Sequence, residues 1–158
     1  MVELDVKIGS GDLYDYLLRH TYNTASGIIG SCSGALLIVL AFMTGQWRFL
    51  IFGGIILLYL PVTLYLRSKQ QILSNPSFQN PLHYELNGEG LKISQGEDFL
   101  QYAWEDMVKA VSTGHSIILY TSRVNATIFP KEQLGDKRMA VIEMIATHMP
   151  PSKVKIRG

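Results

Sequence analysis

Residues 25–46 read ASGIIGSCSGALLIVLAFMTGQ, and residues 47–66 continue WRFLIFGGIILLYLPVTLYL. Arg48 is the only charged residue in this run. An α-helix rises about 1.5 Å per residue and a bilayer core is about 30 Å thick, so one crossing needs about 20 apolar residues. The run holds about twice that number. Lipid offers the backbone no hydrogen-bond partner, which favours helices that satisfy themselves. The stretch therefore predicts a transmembrane helical hairpin over 25–67, with helices at about 25–45 and 48–66 and a short turn at Thr44 to Trp47. Apolar residues on every face of both segments argue for lipid rather than a buried pair in a soluble core.

On either side of the run, Lys7, Arg19, Arg67 and Lys69 flank the outer ends, while Arg48 alone marks the turn. The side richer in Lys and Arg usually stays in the cytoplasm, so N- and C-terminus are both expected on the cytoplasmic side of the inner (plasma) membrane. Trp47 and Tyr65 fall near the expected interfaces, where amphipathic rings are favoured. Ser26, Gly30 and Gly34 form one row of small residues on the first helix, and Gly27, Ser31 and Ala35 form the next. Such rows let helices approach closely, either within the hairpin or across a homodimer seam. Pro61 removes one backbone donor from the second helix and predicts a kink. No Asp, Glu, Lys or His lies mid-run, which argues against a proton relay or ion path.

The 158 residues carry a net charge of +1. That balance argues against nucleic acid as a partner, because phosphate backbones demand a concentrated basic face. Cys32 is the single cysteine, so neither an internal disulfide nor a cysteine zinc cluster is expected, which suits a reducing compartment. Glu3, Asp5, Asp12 and Asp15 precede the apolar run, unlike the basic start of a signal peptide.

Residues 1–24 read as a strand and an amphipathic helix. VELDVKI at 2–8 alternates Val2, Leu4, Val6 and Ile8 with Glu3, Asp5 and Lys7, which is strand periodicity. Asp12 is the expected cap of a helix carrying Leu13, Tyr14, Leu17, Leu18 and Tyr22 on one side. That helix fits a membrane-surface position or a plain extension of the first span. Residues 68–81, polar and containing Pro76 and Pro81, read as a linker. Six short strands follow within a domain at 82–149, at 83–86, 91–94, 99–104, 107–112, 116–121 and 126–129; Asn87-Gly88 is a strong hairpin turn. Leu100, Tyr102 and Trp104 are expected on one heavier face. Asp136 is the expected cap of a helix with Met139, Ile142, Ile145, Ala146 and Met149 as its stripe. Pro150-Pro151 end it, and 150–158 is expected as a flexible basic tail. The fold class is thus α+β, a transmembrane hairpin followed by a strongly bent antiparallel sheet with the helix over one open end.

Four motifs stand in order: Tyr84–Leu86 with Asn87, Gly90 and Leu91; Tyr102 and Trp104 followed by Glu105; Ile117–Tyr120; and Ile128-Phe129-Pro130-Lys131. Together they resemble the YcxB-like family of small bacterial membrane proteins over nearly the whole chain. The resemblance implies a C-terminal domain similar to pleckstrin-homology folds (PH-like), with Trp104 and the helix stripe in its core. It also offers the N-terminal strand a place at the sheet edge. It implies no established activity.

The chemistry-bearing residues are scattered. His20, His83, His115 and His148 lie in different elements without metal-type spacing, and the HExxH, CxxC and P-loop patterns are absent. Glu97-Asp98 and Glu105-Asp106 are adjacent pairs whose side chains diverge on a strand. No catalytic residue, metal site or cofactor is expected. The leading expectation is a non-enzymatic membrane-anchored module that binds an unidentified protein partner or a lipid headgroup at the inner leaflet. Lys92, Lys109, Arg123 and Lys131 are the candidate lipid contacts, with the Lys153–Arg157 tail adding attraction; ordinary surface charge is the competing account. The rival class is an accessory subunit of a membrane transport or enzyme complex.

Overall fold

The computed structural model describes residues 1–123 and 125–156. The chain opens with β1 (Val2–Val6) and α1 (Ser10–Tyr22), followed by α2 (Ala25–Thr44) and α3 (Trp47–Ser74). Helices α2 and α3 are long and apolar enough to cross a membrane, and they pack against each other. Only Gly45 and Gln46 separate them, Gly45 taking the left-handed conformation (φ 68°) that closes a helix C-terminus. The close approach is made by glycines on both helices. A Cβ on Gly53 would lie 2.8 Å from the carbonyl oxygen of Gly34, and one on Gly34 would lie 2.8 Å from Leu57.

Two expectations about these helices need correction. Helix α3 runs through Pro61 as one element and continues to Ser74, so residues 68–74 are helix rather than linker. RSKQQILS holds good helix formers and no breaker, Ser68 is buried, and Ile72 packs on the domain core. The chain leaves the helix only at Asn75, whose side-chain oxygen accepts from the backbone N–H of Ser77. Helix α1 starts at Ser10, and Asp12 sits inside it, its carboxylate accepting from the Gly9 N–H at 2.9 Å. Its buried residues are Leu13 and Tyr16. Tyr14 meets the ring of Tyr65 on α3 edge-on at 5.7 Å. The helix is therefore wedged between α3 and the following domain.

That domain contains all six expected strands: β2 (Leu82–Leu86), β3 (Gly90–Gln95), β4 (Asp98–Ala103), β5 (Lys109–Ser112), β6 (Ser116–Tyr120) and β7 (Ala126–Pro130). Next come a short helix α4 (Lys131–Leu134), α5 (Arg138–His148) and β8 (Val154–Lys155). The strands divide between two four-stranded sheets, ordered β1-β2-β3-β4 and β7-β6-β5-β8. Strand β1 joins the first sheet antiparallel to β2, with Val2 opposite Leu86 and Val6 opposite Leu82. The division falls at Trp104–Asp106, a 3-10 turn that swings Trp104 inward. Its indole N–H donates to the Asn87 carbonyl at 2.9 Å, and its ring stacks on His148 of α5. Trp104 thus leaves the face it was expected to share with Leu100 and Tyr102, and Leu100 is exposed.

The core lies between the sheets and is closed by α1 and α5. Val6, Tyr84, Leu86, Ile117, Phe129, Val141 and Ile145 are fully enclosed. Strand β6 is buried at every residue, in keeping with the apolar run Ile117–Tyr120 that follows Ser116. On α5 the enclosed residues are Val141 and Ile145, with Ile142 partly covered, and Met149 just beyond the helix is buried with them. Met139 and Ala146 face outward, against expectation. Met139 lies two residues from Val141, about 200° round the helix. Nor does Asp136 cap α5; it lies in a 3-10 turn ahead of it. The tail is ordered through Ile156: Val154 and Lys155 pair parallel with Ala110 and Val111 of β5. Arg157 lies outside the described residues.

Candidate functional site

The four lysines and arginines expected to converge are dispersed. Lys92 on β3 pairs with Glu85 of β2 at 3.6 Å, and its ammonium lies 5.8 Å from the Phe99 ring. Arg123 is exposed in the β6–β7 turn. Lys131 opens α4 and donates from Nζ to the Thr113 carbonyl at 2.6 Å. Lys109, at the start of β5, lies over the Tyr120 ring at 4.5 Å. Of the four, Lys109 joins other cations in a concave site.

That site is a cleft of about 370 Å³ lined by Arg19 at the end of α1 and Asn23 just after it, Val108 just before β5 and Lys109 and Val111 on it, Tyr120 of β6, and Ser152, Lys153 and Lys155 of the C-terminal segment. Each wall has a local cause. Arg19 sits in the last turn of α1, where cations suit the helix terminus. Asn23 folds back, its amide donating to the Arg19 carbonyl at 2.7 Å. Lys153 is held by a 2.9 Å bond from Nζ to the Met107 carbonyl. Parallel pairing with β5 brings Lys155 alongside. The hydroxyl of Tyr120 is pushed above its ordinary pKa by burial and by Tyr16, and pulled back by Arg19.

Arg19 was not among the candidate contacts, and Lys155 entered only as part of the Lys153–Arg157 tail. Arg19 reads in sequence as a flank of the membrane run. Lys153-Val154-Lys155-Ile156 has strand alternation, a signal masked by Pro150-Pro151 and the chain end.

Two other concavities carry different chemistry. One, of about 470 Å³, brings Asp12, Asp15, Glu132 and His115 around α1. Its carboxylates have structural work: Asp12 ties down Gly9, and Asp15 accepts from the Thr113 hydroxyl. The other, of about 550 Å³, runs between β4 and the β6–β7 edge, where Phe99 and Leu100 stand exposed. The histidines are spread out: His83 pairs with Asp5 at 2.8 Å, His20 stacks near Tyr16 and Tyr120, and His148 lies on Trp104. Among the described residues no group of three His, Cys, Asp or Glu is gathered for a metal.

The small-residue rows of α2 divide in the same way. Gly34 is spent on the α3 contact, Gly27 is buried against the backbone of Thr21, and Gly30 faces Leu60. Ser31 donates to the Gly27 carbonyl, while Ser26 and Ala35 are exposed.

The stretch that holds the Asn87 turn, the Trp104 corner, β5 to β7 and the start of α5 is where the chain is similar to a known family. Residues 86–140 match the family model described as YcxB-like protein. The resemblance carried by the sequence motifs is borne out over that segment. The matched segment contains Lys109 and Tyr120, whereas Arg19, Lys153 and Lys155 lie outside it. No curated protein and no solved structure gives a significant match.

Proposed function

We propose that this chain is a multi-pass membrane protein with both termini cytoplasmic, holding a PH-like domain as a non-enzymatic interaction module against the inner leaflet. The observation that carries the reading is the outward apolar surface of the hairpin: Phe42, Met43, Trp47 and Leu58 are 80%, 77%, 69% and 63% exposed. Soluble monomers rarely leave so continuous an apolar face to water. The module is held closely. Helix α1 touches both α3 and the domain, and Lys7 exchanges backbone bonds with the Gln133 amide at 2.9 and 2.8 Å. The basic cleft at the end of α1, two residues ahead of α2, supports contact with the membrane surface.

Labelling with an impermeant maleimide tests this reading. In a Cys32→Ser background, Thr44→Cys should react in intact cells and Glu97→Cys only after permeabilisation. The chain should also stay in the pellet after alkaline carbonate extraction. Release into the supernatant, or the reverse labelling pattern, would overturn it.

A further inference from the structure

We propose that the cleft between the end of α1, β5 and β8 binds the phosphate of an anionic lipid headgroup through Arg19, Lys109, Lys153 and Lys155. The inference rests on the membrane reading above and adds to it a ligand class and a site.

Four cations from three separated parts of the chain meet there, and no carboxylate lines the cleft. Among the described residues, none of the four forms an ion pair, although Lys92 elsewhere on the same domain does. Like charges held together repel, and the arrangement is relieved when an anion occupies the space between them. Two of the cations are already positioned from below, Lys153 by the Met107 carbonyl and Lys109 by the Tyr120 ring. Arg19 offers a planar fork suited to phosphate oxygens, and the Ser152 hydroxyl adds a neutral donor.

Position selects the source of the phosphate. Arg19 precedes Ala25, the first residue of the first apolar helix, by six residues, across the break at Asn23 and Thr24. The cleft's lining includes Val108, which is 40% exposed. A cleft with cations inside and an exposed Val108 in its lining, close in the chain to the first apolar helix, fits a lipid whose phosphate enters while its chains stay in the bilayer. A soluble phosphate ester shares the anionic chemistry and would have no use for that apolar side chain.

Native mass spectrometry of the full chain, purified in a neutral detergent and titrated with defined lipids, tests the inference. Phosphatidylglycerol should be retained over phosphatidylcholine. The Arg19→Gln/Lys155→Gln variant should weaken that retention about tenfold or more, as expected for two basic contacts. Lys92→Gln/Arg123→Gln, which removes the same charge elsewhere, should leave it unchanged. A thermal melt of each variant without lipid checks that the fold is intact. Equal loss in both variants, or none in either, overturns the site. Competition by glycerol 3-phosphate at the lipid's own concentration would overturn the lipid source in favour of a soluble phosphate ester. None of these outcomes depends on carbonate extraction or labelling, so the site can fail while the membrane reading stands.

Discussion

The hairpin and the two-sheet domain handle apolar surface in opposite ways. In α2 and α3 most large side chains point away from the protein, and the contact between the helices is made by Gly34 and Gly53. In the domain the large side chains point inward, and Tyr84, Leu86 and Phe129 are fully enclosed. One chain thus uses two packing rules. Helices that approach through small residues need no oily layer between them, whereas sheets and helices in water are held together by the apolar area they hide.

The sharpest test of the contrast is deletion of residues 2–9. This segment contributes Leu4, Val6 and Ile8 to the core, and its strand β1 a full antiparallel ladder to β2. Removing it should unfold the domain, or lower its thermal midpoint by well over 10 °C, while the detergent-solubilised hairpin keeps its helical circular dichroism. An unchanged midpoint would show β1 to be dispensable. Matched truncations come next. Phe129→Ala should cost about 3–5 kcal/mol in denaturant unfolding, because the cavity sits in a closed core. Phe42→Ala, at a side chain 80% exposed, should cost under about 0.5 kcal/mol in detergent. Similar costs at the two sites would erase the distinction.

Within the hairpin, Gly34→Leu should separate the helices, at about 1–3 kcal/mol, since its Cβ would meet Leu57 and the Gly53 carbonyl. Gly54→Leu, where a Cβ meets nothing within 4 Å, should be nearly neutral. Cysteine crosslinking across the two helices reads the separation. The smallest effect concerns pH. Burial raises the Tyr84 hydroxyl above its ordinary value of 10.0, so the folded state favours the neutral phenol. That contribution is complete below about pH 10 and is lost as pH climbs toward the folded value. Domain stability should therefore fall above pH 10, and Tyr84→Phe should flatten that alkaline limb in melts taken across pH 8–11. An identical limb in the variant would assign the loss to other groups.

Much of the architecture is legible residue by residue. The alternation of VELDVKI, the Asn87-Gly88 turn and the apolar run at 117–120 each name their element, because period and turn chemistry act over a few neighbouring residues. Errors cluster where distant contacts decide. Residues 68–74 read as linker because they are polar, yet Ser68 and Ile72 are covered and keep the helix going. Trp104 reads as a strand residue until its indole is seen bonding to Asn87 across the hairpin. The basic cleft was half legible. Lys109 was named, but Arg19 belongs to α1 and Lys155 to a strand that exists only through β5.

By itself, then, the sequence determined the local states: two apolar helices long enough to cross a membrane, six strands with their turns, and a helix before Pro150-Pro151. Those follow from hydropathy, period and backbone propensity, which are properties of neighbours. The tertiary structure alone decided that β8 closes the second sheet, that α1 is wedged between hairpin and domain, and that Arg19 shares a cleft with Lys109, Lys153 and Lys155. Such pairings join residues far apart in the chain. What fixes them is the burial and hydrogen bonding available only when the whole chain has folded.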